Sequence, residues 1–305
     1  MPAVEIPARE ETPELTIVVA SVNGLSVLEP TLDSIDALPE RDRIEVIVVE
    51  TLGGATRDHL LGRQRPVVVV ESPRQPIPRL RYQGVTRARG RLVAILEDHA
   101  RVDPGWARAL IAALEGPWGA VGGPVENGRD GLVNWAVYFC EYTPYMAPLP
   151  EGETTDLPGN NIAYKRPHLL RHAQVLDDGK WESWINDRLR ADGVPITASN
   201  SMVVRHIKPF LLGYFLKQRF HFARSYAGMR RTDQSWTKRL VYGFGSLALP
   251  LLLSGRVAST VLRKRRHLGR FALVSPLVVL FLSVGAVGEM AGYLLGPGAS
   301  LDKVE

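Results

Sequence analysis

Along the first two thirds of the chain, apolar residues fall in short blocks separated by polar turns. Leu15 to Val22 is a β-branched run ending at Asn23-Gly24, the pattern of a buried strand followed by a turn. Leu25 to Leu38 then returns apolar residues at helical spacing. Ile44 to Val49, Val67 to Val70 and Leu92 to Leu96 predict three more buried strands. Leu80 to Arg89 reads as a helix stopped by Gly90, and Pro104 opens another that runs to Leu114. Strands alternating with helices imply a mostly parallel sheet covered on both faces. In such sheets the functional groups are expected beyond the carboxyl ends of the strands. The polar residues at those ends are Asn23, Glu50, Glu97, Asp98 and His99.

The pattern weakens between Val125 and Gly159. Trp135, Tyr138, Phe139, Tyr142 and Tyr145 mix there with Pro144, Pro148 and Pro150, and a long aromatic-rich binding loop is expected. Ile162 to Tyr164 is read as a strand, Trp181 to Leu189 as a helix, and Ile196 to Val204 as one strand leading to His206. Two apolar stretches close the chain. Leu240 to Leu253 is short for a hydrocarbon core of about 30 Å, while Phe271 to Leu295 is long enough but carries Glu289.

Composition sharpens this division. The 305 residues are 45% hydrophobic and carry a net charge of +5. From Ile207 onward there are 15 Lys and Arg against 4 Asp and Glu, which leaves 22 against 28 in the preceding part. An acidic front and a basic, apolar tail point to an anionic membrane surface as the tail's partner rather than nucleic acid. With one cysteine, Cys140, no intrachain disulfide forms, and the first residues lack the pattern of a signal peptide. The expected divisions are a tail over 1–14, a catalytic domain over 15–206, a basic amphipathic linker over 207–239 and membrane-associated helices over 240–305.

Several groups have the chemistry of a site. Carboxylates and an imidazole in Glu97-Asp98-His99 suit a borderline metal such as Mn²⁺, or alternatively a solvated turn before the helix at Pro104. Glu182, between Trp181 and Trp184, has the setting of a desolvated general base or of an exposed helix charge. His206 follows a strand, where a lone histidine is more often a structural hydrogen-bonding group. Gln218 to Arg224 interleaves cations with aromatics, as a diphosphate site or an interfacial helix does.

Taken in order, these segments resemble the family 2 glycosyltransferases of the GT-A fold. Thr16-Ile17-Val18-Val19-Ala20-Ser21-Val22-Asn23 is similar to the family's first nucleotide-binding strand. Glu50 stands where the family has an aspartate contacting the base. Arg81, Gly84 and Gly90 match the pattern before the fourth strand, with Tyr82 replacing asparagine. Glu97-Asp98-His99 aligns with D-x-D, with His99 in the metal-binding place. Gly159-Asn160-Asn161-Ile162-Ala163-Tyr164-Lys165-Arg166 resembles a segment near the acceptor, and the spacing of Glu182 from Arg188-Leu189 places it on the catalytic base. His206 resembles a late metal-binding histidine, and Gln218 to Arg224 resembles Q-x-x-R-W.

The resemblance implies a Rossmann-like α/β GT-A domain with a C-terminal helical membrane region. The implied activity is inverting transfer of a sugar from a nucleotide-sugar donor to a saccharide or lipid-linked acceptor, in cell-envelope or exopolysaccharide synthesis. It implies Glu182 as base and a divalent metal, Mn²⁺ or Mg²⁺, at His99 and His206. Ala20, Asn23, Glu50, Arg81, Glu97, Asp98, Arg219, His221 and Arg224 would meet the donor, and Asn160, Asn161 and Trp181 the acceptor. The expected place is the cytoplasmic side of the inner membrane. Two competing readings remain at this point: an inactive nucleotide-sugar-binding or scaffold protein, motivated by Tyr82, Glu50 and His99, and a nucleotidyltransferase, which Ser21-Val22-Asn23-Gly24 does not favour.

Overall fold

In the computed structural model, residues 12–232 and 234–304 are described. By its internal contacts the chain forms two units, one comprising the residues up to Glu126 with Tyr145–Ile207, the other Asn127–Pro144 with Lys208–Glu305. The expected tail over 1–14 lies mostly outside the described residues.

The first unit alternates strands and helices as the apolar blocks require. Strands β1 (Leu15–Ser21), β2 (Ile44–Glu50), β3 (Val68–Glu71) and β4 (Leu92–Glu97) alternate with helices α1 (Leu25–Asp36), α2 (Gly54–Leu61) and α3 (Ile77–Arg87). After β5 (Ala100–Val102) come α4 (Trp106–Glu115), β6 (Ala120–Gly122) and β7 (Val125–Asn127), which leads into α5 (Leu132–Glu141). Then follow β8 (Glu153–Thr154), β9 (Asn161–Lys165), the helices α6 (Arg166–His172), α7 (Gln174–Asp177) and α8 (Glu182–Ala191), and strands β10 (Ile196–Ala198) and β11 (Val204–His206).

Eight strands form one sheet in the order β3-β2-β1-β4-β9-β6-β10-β8. Only β9 and β8 run against the others, so the sheet is mostly parallel. Its inner strands are buried on both faces, which explains their unbroken runs of Val and Ile. Val18, Ile47, Val49, Ile95 and Ile162 meet Leu80 and Val85 of α3 and Ile185 and Leu189 of α8 in one core cluster. Each such side chain contributes about 1.5–3 kcal/mol by leaving water.

A second sheet, β5-β11-β7, pairs Ala100 with His206. Its existence corrects the reading of 196–204 as one strand. Ser199, Asn200 and Ser201 turn the chain, so that β10 joins the large sheet and β11 the small one. The aromatic stretch is also corrected. Leu132, Trp135, Ala136 and Phe139 recur at helical spacing and form α5 rather than a loop, a pattern the following prolines obscured. This helix groups with the second unit, not with a continuous domain over 15–206.

The second unit is helical. To α5 it adds α9 (Leu212–Arg231), α10 (Trp236–Gly245), α11 (Leu249–Lys264) and α12 (Leu268–Leu295). Trp236–Lys264 and Leu268–Leu295 are each long and apolar enough to cross a membrane, by length and composition. They are joined by a turn in which Arg265 and His267 adopt positive φ.

One close approach fixes the junction of β6 with the 199–202 turn. A Cβ on Gly123 would stand 1.8 Å from the carbonyl oxygen of Met202. We predict that Gly123→Ala forces that backbone apart and destabilises the first unit by about 1–3 kcal/mol. A denaturation midpoint unchanged from that of the parent protein would contradict this packing.

Candidate active site

The carboxyl ends of β1 and β4 are tied together by one side chain. Asp98 is 1% exposed and follows β4. Its Oδ2 accepts the backbone N–H groups of Val22 and Asn23 at 2.8 and 2.9 Å. Its Oδ1 accepts the Asn23 side-chain amide at 2.9 Å and lies 2.6 Å from Nδ1 of His99. Four bonds fill a carboxylate's acceptor positions. Asp98, read from the sequence as a donor contact, here orients the β1–α1 loop and an imidazole. The Asn23 amide is likewise engaged by Asp98. Ala20, one residue before the end of β1, has its side chain in the core cluster.

Holding Nδ1 of His99 turns Nε2 the other way. Nε2 lies 3.2 Å from Oε2 of Glu97, and the His99 and His206 rings stand edge to face with centroids 4.6 Å apart. The pairing of β5 with β11 produces this meeting. One ligand atom from each of Glu97, His99 and His206 falls within 4.8 Å of the others. Burial opposes a charge on His99, but Glu97 and Asp98 outweigh it and push its pKa up to about 9. Burial likewise opposes charge on Glu97, yet His99, His206 and Arg81 hold that carboxyl far below its ordinary range. The carboxylates thus make a buried place that favours positive charge. Two imidazoles and a carboxylate oxygen suit a borderline divalent ion, and a carboxylate behind a ligating imidazole is the usual support for one. These residues fit a divalent metal, and Glu97, read from the sequence as a donor contact, groups here with His99 and His206.

On the other side of Glu97 lies Arg81 from α3, 2% exposed. Its Nη1 donates to Oε2 of Glu182 at 2.7 Å, and its Nη2 lies 3.9 Å from Oε1 of Glu97. Burial disfavours its charge, but Glu182 and Glu97 more than compensate and raise its pKa. The donor contact expected of Arg81 is replaced by this buried bridge between two carboxylates. Its guanidinium also lies 5.7 Å from the centre of the Trp181 ring.

Glu182 opens α8 and is 1% exposed. Its second oxygen, Oε1, is buried with no hydrogen-bond partner among the described residues. Gly159 lets the chain pass close, since a Cβ there would meet Oε2 of Glu182 at 2.9 Å. The next residue, Asn160, donates its amide to Oε2 of Glu97 at 3.1 Å and leaves its own buried Oδ1 unpartnered. Asn161 does something else. It accepts the Trp106 indole N–H at 2.8 Å and donates to the carbonyls of Pro124 and Met202, so its amide is a structural peg rather than the acceptor contact expected.

Glu50, at the end of β2, accepts the backbone N–H groups of Leu52 and Gly53 through Oε1, while Oε2 is buried without a partner. Burial, reinforced by Asp98, raises its pKa despite those amides. One pair of residues near Glu182 went unread in the sequence. The Tyr164 hydroxyl donates to Oδ1 of Asn186 at 2.9 Å, both side chains are buried, and Tyr164 interacts electrostatically with Glu182. The signal was the spacing of Asn186 four residues after Glu182, on the same helix face.

Arg219, His221 and Arg224 belong to the helical unit. Arg219 lies 4.0 Å from Glu141, His221 contacts the Ser300 hydroxyl at 3.2 Å, and Arg224 donates to the Gly296 carbonyl at 3.1 Å.

The family model described as glycosyl transferase family 2 matches residues 16–171, more than half of the chain. The chain belongs to glycosyl transferase family 2. Among solved structures, the mannosyltransferase PcManGT from Pyrobaculum calidifontis, in complex with GDP-Man and Mn²⁺, is similar over 95% of this chain and 90% of its own, at 19% identity and a TM-score of 0.57. GalNAc-T7 with UDP, GalNAc and Mn²⁺ aligns over 66% of this chain and 45% of its own, at 14% identity and a TM-score of 0.48. No curated protein matches the chain. The likeness to PcManGT confirms the GT-A fold. Within this family 2 glycosyltransferase, β1, β4 and the 159–161 segment all lie inside the matched span, whereas Glu182 and His206 lie beyond it.

The bridge makes a sharp stability prediction. Removing one partner of a buried ion pair leaves an uncompensated charge, at a cost of about 3–5 kcal/mol. Arg81→Ala should destabilise the enzyme by that order, and adding Glu182→Ala to it should restore a large part of the loss. Strictly additive effects in urea denaturation of the single and double variants would show that the two side chains do not interact.

Proposed function

We propose that this glycosyltransferase moves a sugar from a nucleotide-diphosphate sugar to an acceptor hydroxyl with inversion at the anomeric carbon. The observation that carries the proposal is the free buried oxygen of Glu182, joined through Arg81 to the Glu97, His99 and His206 group. A proton acceptor and a cation-binding group thus sit at opposite ends of one charged chain. Glu182 takes the proton of the acceptor hydroxyl as that oxygen attacks the anomeric carbon. The bond from that carbon to the diphosphate oxygen breaks, and the nucleoside diphosphate leaves with the electron pair. A base so placed contributes roughly 10²–10⁴-fold. Asn160 and Trp181 would position the acceptor, and the open oxygen of Glu50 would receive N–H groups of the base. When bound by Glu97, His99 and His206, a divalent ion supplies charge neutralisation for the diphosphate. The mixed donor set favours Mn²⁺ over Mg²⁺.

The acceptor is proposed to be a saccharide or a lipid-linked saccharide of cell-envelope or exopolysaccharide synthesis. The two long apolar helices support attachment of the enzyme to a membrane. A cytoplasmic active site on the inner membrane accords with nucleotide sugars being made in the cytoplasm. The inactive-protein reading loses ground because the departures at Glu50 and His99 still present an open carboxylate oxygen and an assembled ligand group.

Glu182→Gln keeps the shape and removes the base. Turnover should fall by roughly 10²–10⁴-fold, while donor affinity, followed by calorimetry, changes little. Near-normal turnover would remove Glu182 from the mechanism and point to Asp187. Release of a nucleoside diphosphate from a panel of GDP- and UDP-sugars separates this reading from a nucleotidyltransferase, which releases pyrophosphate.

The metal is tested apart from activity. Mn²⁺ binding followed by electron paramagnetic resonance should weaken at least tenfold in His99→Ala and in His206→Ala. Unchanged binding in both would remove these imidazoles from the site, and full transfer in the presence of EDTA would remove the metal from the reaction.

A further inference from the structure

We propose that the helical unit lies in the plane of one leaflet of an anionic membrane and does not cross it, an inference that rests on the membrane attachment proposed above. The constraint comes from how α9 packs on α12. Three glycines of α12 let the helices touch. A Cβ on Gly285 would meet Nε of Arg219 at 2.9 Å, one on Gly288 the Phe220 carbonyl at 2.4 Å, and one on Gly292 the Arg224 carbonyl at 2.5 Å. Phe215 stacks edge to face with Phe281, with centroids 4.6 Å apart. The partners advance together along both chains, so α9 runs parallel to the second half of α12.

That pairing fixes what α12 can do in a bilayer. Its 28 residues span about 42 Å at 1.5 Å per residue, enough to cross a core of about 30 Å. Gly285 lies near its middle, and Arg219 lies against it. An upright α12 would therefore carry Arg219 close to the bilayer centre, with Lys217, His221 and Arg224 of the same helix close by. Cations are strongly disfavoured there. With α12 lying flat, α9 stays out of the hydrocarbon, and the exposed Lys217 reaches water or lipid phosphate while Arg219 keeps Glu141 beside it and Arg224 keeps the Gly296 carbonyl.

The surfaces agree with this orientation. Leu273, Leu280 and Val287 are exposed at seven-residue intervals, one stripe along α12, while Val274, Val278, Phe281 and Gly285 are buried. Val241, Phe244 and Leu251 are exposed on the preceding helices at 63%, 60% and 81%. These apolar stripes have no protein partner among the described residues that covers them, and a lipid surface is the partner that suits them. From Trp236 to Gly288 the sequence contains no Asp or Glu but has eight Lys and Arg. Exposed apolar side chains in a stretch that carries cations and no acidic residue are the make-up of a surface that meets anionic lipid. The turn between the two long helices is itself cationic and held in the unit, with His267 4.8 Å and Arg270 5.8 Å from the Trp135 ring, and Arg270 3.6 Å from Asp130.

The test uses the full chain with Cys140→Ser, bound to vesicles of phosphatidylcholine and phosphatidylglycerol. A fluorophore is attached in turn at Leu273→Cys, Leu280→Cys and Val287→Cys, and its depth is read with lipids spin-labelled at different chain positions. All three should report one shallow depth, and Arg265→Cys and Lys303→Cys should both react with a membrane-impermeant maleimide from the same side in cells. A depth that passes through the midplane between Leu273 and Val287, with the two ends reactive from opposite sides, would overturn the proposal and leave membrane attachment intact. No quenching at any position would overturn attachment as well. Dimerisation in that last case would assign the stripe to a second copy of the chain.

Discussion

A single guanidinium, that of Arg81, bridges two carboxylates from different elements, Glu182 of α8 and Glu97 of β4. Arg81 is almost fully buried and donates to Glu182 at 2.7 Å, with Glu97 at 3.9 Å on its other side. A buried pair of this kind contributes little net stability, because desolvation offsets the attraction. What it fixes is placement. With Oε2 of Glu182 held by Arg81, the remaining oxygen is left without a partner, and the same guanidinium steadies Glu97 at the edge of the two-histidine group. Trp181 and the glycine at 159 close around this arrangement, the first by lying beside the guanidinium, the second by having no Cβ where one would strike Glu182.

Asp98 plays the corresponding part at the end of β1. It gathers the β1–α1 loop and one face of His99, and the Thr31 hydroxyl of α1 adds a bond to the Asp98 carbonyl at 3.0 Å. The turn expected to receive a nucleotide and the imidazole expected to bind a metal are therefore parts of one hydrogen-bonded assembly. The last residue of β4 and the two after it have three separate duties: Glu97 faces the two imidazoles, Asp98 faces the loop, and His99 joins them. Glu97 and Asp98, both read as donor contacts, thus part: Glu97 joins the two imidazoles, and Asp98 supports His99.

Much of the fold was legible because parallel strands buried on both faces leave unbroken Val and Ile runs, as in Ile44–Glu50 and Leu92–Glu97. The failures have physical causes. Helix α5 was hidden because its aromatic positions sit next to Pro144, Pro148 and Pro150, which dominate a local reading. The split of 196–204 was hidden because β10 and β11 are three residues each, too short to show a period. In the site, residue types and order indicated Glu182, His99 and His206. The direction of a side chain is not encoded at that level. Arg81, Asp98 and Asn161 were read as substrate contacts from the motifs they stand in, and all three side chains are buried and engaged by other residues of the protein. Their partners Glu182, Asn23 and Trp106 lie at sequence distances that no local pattern reports.

The charge asymmetry of the chain acquires a cause from the structure. In the first unit, acidic groups are answered internally. Arg63 bonds Asp33 and Asp36 at 3.0 and 2.8 Å and also pairs with Glu29, Glu45 takes Arg89 at 2.6 Å, and Glu14 takes Arg91 at 2.6 Å. An acidic excess there is tolerable because so much of it is matched at contact distance. The stretch from Trp236 to Gly288 has no acidic residue with which to do the same. Arg270 reaches Asp130 of a neighbouring segment at 3.6 Å, yet the stretch as a whole keeps a cationic excess that repels itself in a compact helical unit. Water and salt screen such repulsion only in part near an apolar surface of low dielectric. If the unit lies on a membrane as proposed, an anionic lipid surface would cover the exposed leucines and valines and supply counter-charge to this excess, so one partner would account for both unusual features of this unit.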